Sequence, residues 1–228
     1  MSINYQLFCP LHHFLFNLTT IFTFIWIVKK FNPSRIFVAL LAIWLLIQSI
    51  LGIRGFYMNE STIPPRFVLM VLPPILFILI LLSSNFGKTY LNNLSLKNLT
   101  LIHAIRIPIE IVLWALYEEK LVPQLMTFEG ANFDILSGIS APFVFYYLHK
   151  NENYNKFFLI VWNVFCLILL LIIVTIAVLS APSPFQQLAF EQPNIGVLHH
   201  PFNWLPSFLV PVVLFCHLAS LRLLILKK

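Results

Sequence analysis

Long apolar blocks alternate with short polar segments along the whole sequence. The blocks run to about 20 residues, which is the length that an α-helix needs to cross the hydrocarbon core of a bilayer. The pattern therefore predicts an all-α, polytopic integral membrane protein, a bundle of about seven transmembrane helices. No block remains that could fold as a separate aqueous domain, so residues 1–228 are expected to form a single transmembrane domain. The predicted spans cover roughly residues 14–28, 36–53, 67–82, 99–117, 132–148, 157–180 and 205–225.

The charges between the blocks support this number of spans. With seven spans, most of the 14 cations fall on one side, and the other side holds only Arg54, Arg66 and Lys120 together with most of the acids. By the positive-inside rule, this asymmetry places the N-terminus outside and the C-terminus in the cytoplasm, in a cell (plasma or inner) membrane. The cations on the predicted cytoplasmic side are Lys29, Lys30, Arg35, Lys88, Lys97, Lys150, Lys156, Arg222, Lys227 and Lys228.

The fourth block is apolar enough to cross a bilayer and yet carries His103, Arg106 and Glu110. At about 100° per residue these side chains fall within an arc of roughly 60°, and Trp114 continues the same stripe. A charge at the bilayer centre costs on the order of 3 kcal/mol, so this stripe is expected to face other helices. Arg106 and Glu110 are four residues apart and are expected to pair, and Pro108 between them is expected to kink the helix.

Polar residues of two other spans lie at a similar depth. At about 1.5 Å per residue, His103, Arg106 and Glu110 lie about 6–16 Å from the cytoplasmic boundary, and Asn163 and His217 about 9–12 Å from it. These residues predict one intramembrane polar site, provided that their helices meet. The competing interpretation is a satisfied network that fixes helix packing without any ligand.

The start of the fifth span adds Glu129, Asn132 and Asp134 to the candidate site. Two interpretations are open. Asn132 or Asp134 can cap the helix, whose dipole favours carboxylates, or these residues can belong to a polar cavity with Glu129 and Asp134 at its outer mouth. Small residues that include Gly138 follow at helical spacing and predict close contact with another helix, for which the fourth span is suited.

The sequence predicts no metal and no cofactor. Haem held between His103 and His217, with Arg106 near a propionate, is an alternative that two histidines alone do not establish. The paired histidines His199 and His200 lie in the long segment after the sixth span, which is expected to fold back as a lid or to lie at the interface. The phosphate-binding, serine-hydrolase and zinc-protease motifs are absent from the sequence.

Composition indicates a membrane protein but does not identify its activity. The chain is 60% hydrophobic and 10% charged, so its net charge of +6 does not indicate nucleic-acid binding. The leading hypothesis is binding or passage of a small polar or anionic solute, or of protons, by a protein surrounded by membrane lipids. Two alternatives are an intramembrane enzyme acting on a lipid or isoprenoid, with Glu110 or His103 as general base, and a helper subunit with a purely structural polar stripe.

Overall fold

The computed structural model describes residues 10–151 and 153–226, and this part of the chain contains helices and no β-strands. Lys227 and Lys228, which are among the predicted cytoplasmic cations, lie outside the described residues, as does Cys9. Two of the helices are extended by a π-helical turn, Ile27–Phe31 after α1 and Leu205–Leu209 before α9. The helices are α1 Pro10–Trp26, α2 Arg35–Ile53, α3 Val68–Ser83, α4 Asn85–Asn92, α5 Leu96–Leu101, α6 Arg106–Glu118, α7 Ile135–Lys150, α8 Lys156–Leu179 and α9 Val210–Leu226.

Several of these helices could cross a membrane. Within the described residues, five helical segments are long and apolar enough by length and composition, or six if the bent pair α3–α4 counts as one span. This result confirms the all-helical class and the presence of several apolar helices. The segment predicted as the fifth span forms α7, which begins at Ile135 and has 16 residues. The number of seven crossings stays a prediction.

Polar residues define where several helices begin. The side chain of Ser34 accepts a hydrogen bond from the backbone N–H of Phe37 at 3.2 Å, which caps α2. Ser84 caps α4 and Asn155 caps α8 in the same way. Such caps satisfy backbone donors that the first turn of a helix leaves unpaired.

The helical run that contains Pro108 changes its type just before this residue, and the kink stays a prediction. The segment Leu96–Glu118 remains one helical run, but residues Ile102–Ile105 form a 3-10 turn between α5 and α6. Pro108 cannot donate to the carbonyl of Ala104, and the chain tightens just where that hydrogen bond would have formed. The loss of one bond is thus absorbed by a local change of helix type within a continuous run.

The run Leu96–Glu118 lies at the centre of the bundle. In its most apolar window 67% of the residues are buried, compared with 11% in α2, which lies at the periphery. The window of Leu205–Leu226 is the next most buried, at 50%. The polar stripe of the fourth predicted span therefore lies on the most buried of the five described segments that could cross a membrane.

The long segment after α8 folds back over one end of the bundle, as expected. The backbone N–H groups of Ile195 and Gly196 both donate to the carbonyl of Leu121, at 3.0 and 2.7 Å. The amide of Asn203 donates to the carbonyl of Gln48 in α2 at 2.6 Å. The segment contains a short 3-10 helix, Gly196–Leu198. Its bonds to Leu121 and Gln48 pair backbone and side-chain polar groups that would otherwise be buried without a partner.

Candidate functional site

The polar stripe of the central helical run points away from the membrane-facing surface. The exposed fractions are 0% for His103 and 2% for both Arg106 and Glu110. The stripe ends there, because Trp114 is 36% exposed. A charge buried in an apolar medium is costly without a partner, so the contacts of these residues with other helices decide how they are accommodated.

Helix α7 approaches the central run closely because Gly138 lies at the contact. A Cβ atom added at Gly138 would lie 3.0 Å from the Cγ1 atom of Ile107 and 3.1 Å from the Cβ atom of Arg106. Only a residue without a side chain permits this distance between the two backbones without a shift of a neighbour. The predicted contact between the small residues of this helix and the fourth span is confirmed.

Arg106 pairs with Asp134, and the expected pairing with Glu110 is wrong. The Nη1 atom of Arg106 donates to the Oδ1 atom of Asp134 at 2.6 Å, and both side chains are buried. Ser137, one turn further along α7, donates to the same carboxylate oxygen at 3.4 Å. A short, charge-assisted bond between two helices replaces the weaker pair within one helix.

His217 of α9 is the second partner of Arg106. Its Nε2 atom lies 3.0 Å from the Nη2 atom of Arg106, which can only donate, so Nε2 accepts. The proton of a neutral imidazole is then on Nδ1, which lies 2.9 Å from the Oδ1 atom of Asn163 in α8. Asn163 in turn donates to the carbonyl of Leu159 at 2.9 Å. The contacts are mutually consistent for one neutral tautomer of His217.

His103 is held by aromatic contacts alone. Its ring stacks on the ring of His217 with 3.9 Å between centroids and an interplanar angle of 18°, and it meets Trp162 edge-on at 5.7 Å. Both ring nitrogens are buried and have no hydrogen-bond partner among the described residues. Trp162 donates to the hydroxyl of Ser140 at 3.0 Å, which fixes the ring against which His103 packs.

Glu110 is held by a single side chain. The Nδ2 atom of Asn132 lies 2.8 and 2.7 Å from its two carboxyl oxygens and also donates to the carbonyl of Met126 at 3.0 Å. The ion pairs of the described residues do not include Glu110. Glu110 is thus a buried carboxyl group with one amide donor and no cationic partner.

The residues before α7 do not cap this helix through the side chain of Asp134, and their role in a polar cavity stays a prediction. Asp134 occupies the N-cap position of α7, but its carboxylate makes no cap hydrogen bond and binds Arg106 instead. Asn132 accepts from the backbone N–H of Asp134 at 3.0 Å, which orients the turn. With exposed fractions of 1% and 5%, Asn132 and Asp134 lie inside the protein and not at an outer mouth.

Glu129 does not belong to the buried network. It is exposed, and it accepts a hydrogen bond from the indole N–H of Trp114 at 2.9 Å. The structure therefore joins His103, Arg106, Asp134, Asn163 and His217, attaches Glu110 and Asn132 beside them, and leaves Glu129 at the surface. We call these seven buried residues the polar network.

Sequence reasoning missed the hydroxyl and indole groups that complete the polar network. Ser137 lies three residues after Asp134 in the sequence, which is the spacing at which helical side chains meet. That spacing could have identified Ser137 as a partner of the carboxylate. The contact of Trp162 with Ser140 joins α8 to α7, and no local pattern indicates it.

The arrangement of the two histidines does not fit the haem alternative. Axial ligands approach the iron from opposite faces of a macrocycle, whereas the rings of His103 and His217 stack face to face at 3.9 Å. Both nitrogens of His217 are also engaged. No group of three or more histidine, cysteine, aspartate or glutamate residues that could hold a metal ion is found in residues 10–151 and 153–226, which include His199 and His200.

Two apolar cavities lie outside the polar network. The larger has a volume of about 320 Å³ and lies between α2, α3, α4 and α9, and the smaller has about 90 Å³. Neither is lined by a residue of the polar network.

The protein is all-helical in the described residues and has several helices that could cross a membrane. Its polar network is buried between the central helical run and the helices around it. The chain belongs to a family described as a domain of unknown function, DUF8737, whose profile matches residues 63–225. The matched segment contains all of the polar network and leaves out α1 and α2. No curated protein and no solved structure matches the chain.

Proposed function

We propose that the protein crosses the cell membrane seven times, with its N-terminus outside, and passes protons through the polar network, where Glu110 is the group that binds and releases them. Five helical segments with the required length and composition support the membrane location. The asymmetry of cations between alternate loops supports the orientation.

The contacts of Glu110 carry the proposal. Ionisable residues within a membrane are costly, and those that persist often belong to proton relays. Arg106, Asp134 and His217 are each held by charged or reciprocal hydrogen bonds, so their protonation states are tied to one another. Glu110 is buried with one amide donor, so it can gain or lose a proton without breaking the ion pair beside it.

A proton is favoured over an anionic solute. An anion would need a free positive charge, but the guanidinium of Arg106 is neutralised by Asp134 and its second terminal nitrogen is bound to His217. A proton needs only exchangeable groups and connecting water. The two described cavities also lie away from the network.

His103 provides the next exchangeable group along the helix. Seven residues separate it from Glu110, which corresponds to about 10 Å, so a proton passes between them through water or after a helix movement. The 3-10 turn Ile102–Ile105 lies at His103, and 3-10 stretches within a helix often mark a hinge. The backbone between the two groups is therefore suited to a local rearrangement.

A flux measurement with Glu110→Gln tests this function. The purified chain in liposomes containing a pH-sensitive dye should acidify the lumen when a pH gradient and a membrane potential are imposed. Glutamine keeps an oxygen that accepts from Asn132 but cannot exchange a proton, so the variant should remain folded and lose the flux. Glu129→Gln is the matched control, because this carboxylate is exposed and outside the network, and it should retain the flux.

Other outcomes identify the alternatives. Wild-type protein that conducts no more than empty liposomes would refute proton passage. A changed lipid product without any flux would indicate the intramembrane enzyme, and loss of thermal stability alone in Glu110→Gln would indicate the helper subunit.

A further inference from the structure

The larger cavity has the size and lining of a site for an apolar ligand. Its volume of about 320 Å³ is at the lower end of small-molecule sites, which span roughly 300–1,000 Å³. One face of α2 forms one wall through Phe37, Leu41 and Trp44, while α3 and α9 form the others. The cavity is thus a space between helices that are themselves apolar enough to cross a membrane.

Helix α2 is joined to the neighbouring helices on both sides of this space. Trp44 donates to the carbonyl of Ser207 at 3.0 Å, and Trp204 donates to the carbonyl of Leu45 at 3.1 Å. Nearer its beginning, α2 contacts α3 through stacked rings of Phe37 and Phe77, 5.3 Å apart. A chain-like apolar ligand between these walls would gain dispersion contacts with the apolar side chains that form them.

One end of the cavity lies between two basic segments, residues 29–35 and 84–92. The hydroxyl of Tyr90 donates to the carbonyl of Phe31 at 2.9 Å, and both residues line the cavity, so this bond joins the segments at its end. The segments contain no aspartate or glutamate, and helix α4 within the second is bent by 83° from α3. Their exposed cations are Lys29, Lys30, Arg35 and Lys88.

We propose that the cavity binds one acyl chain of an anionic phospholipid, whose phosphate lies against these basic segments. An apolar space joined to a cluster of cations matches both parts of such a molecule. The predicted topology places these segments on the cytoplasmic side, where anionic lipids attract polybasic sequences. The site is separate from the polar network, so it is independent of proton passage.

Native mass spectrometry of the full chain tests the lipid class. The protein in detergent is mixed with equal amounts of phosphatidylglycerol and phosphatidylcholine that carry identical acyl chains. Phosphatidylglycerol should be retained preferentially, and Arg35→Gln combined with Lys88→Gln should weaken its binding by about tenfold or more. Lys150→Gln removes an exposed cation of another segment and should leave binding unchanged.

Two neighbouring leucines of α2 test the cavity itself. Leu41 lines the cavity, whereas Leu40 is 59% exposed and absent from the lining. Leu41→Trp should fill the space and abolish retention of the lipid, and Leu40→Trp should retain it. Val212→Phe fills the cavity from α9 and is the second test variant if Leu41→Trp does not fold.

The proposal is overturned if phosphatidylcholine binds as strongly as phosphatidylglycerol, or if folded Leu41→Trp and Val212→Phe retain the lipid like the wild type. Equal losses in Lys150→Gln and in the Arg35 and Lys88 variant would also overturn it, because they would indicate a general effect of surface charge.

Discussion

Replacing Asp134 by asparagine should destabilise the protein strongly, because it leaves the charge of Arg106 buried without its counter-ion. The bond that is lost is 2.6 Å long, and Arg106 is only 2% exposed. Removing one partner of a buried ion pair costs about 3–5 kcal/mol. For a chain of this size, about 1 kcal/mol shifts the melting temperature by about 2–4 °C. Asp134→Asn should therefore melt about 6–20 °C below the wild type.

The two buried free cysteines allow this shift to be measured. In chains that all carry Cys9→Ser, a thiol-reactive dye reaches the buried Cys166 and Cys216 only after the bundle opens, so its fluorescence on heating in detergent reports unfolding. Glu129→Gln is the control, because it alters an exposed carboxylate and should change stability by about 0.5 kcal/mol or less. A double variant with Arg106→Met and Asp134→Asn should be less destabilised than the sum of the single changes.

Two results would refute this reasoning. An Asp134→Asn variant that melts like Glu129→Gln would show that Arg106 does not depend on Asp134. Strict additivity in the double variant would show that the two residues do not interact.

Two further predictions concern packing and pH. Gly138→Val should lower the melting temperature more than Ile139→Val, because its side chain would meet Arg106 and Ile107 at the contact of α7 with the central helix, whereas Ile139 is 46% exposed. Burial lowers the pKa of His199 below its ordinary value of 6.5, so the folded state favours the neutral imidazole. The unfolded chain then binds more protons, and stability should fall as the pH drops below about 6.5. His199→Gln should flatten this dependence of the melting temperature on pH, and an unchanged slope would contradict the prediction.

The helical class and the meeting of polar residues from three segments could be predicted from sequence, because both follow from spacing along a helix. A rise of about 1.5 Å per residue places His103, Arg106, Asn163 and His217 at similar depths in three segments, and the structure joins them by hydrogen bonds and ring contacts. Their role as a binding site stays a prediction.

The identity of the partners could not be predicted from the same rules. The sequence offers Arg106 a carboxylate four residues away on its own helix, but in the structure Arg106 binds the carboxylate of Asp134, 28 positions along the chain, at 2.6 Å. That contact depends on how closely α7 approaches the central helix, which Gly138 permits. Local spacing carries no information on such a distance between helices.

The contacts of the polar network distinguish residues that hold the helices together from Glu110, which does not. Arg106 binds Asp134 and His217, and His217 binds Asn163, so these bonds tie the central helix to α7, α8 and α9. A substitution of one of these residues disturbs the packing of the helices. A loss of flux in such a variant therefore does not distinguish a role in proton passage from a role in stability. Glu110 has one amide partner, and Glu110→Gln preserves an acceptor for it. A loss of flux in Glu110→Gln with a melting temperature close to that of the wild type would therefore identify proton exchange at Glu110. If Glu110→Gln and Asp134→Asn both lower the flux and the melting temperature, Glu110 belongs with the residues that stabilise the helix packing.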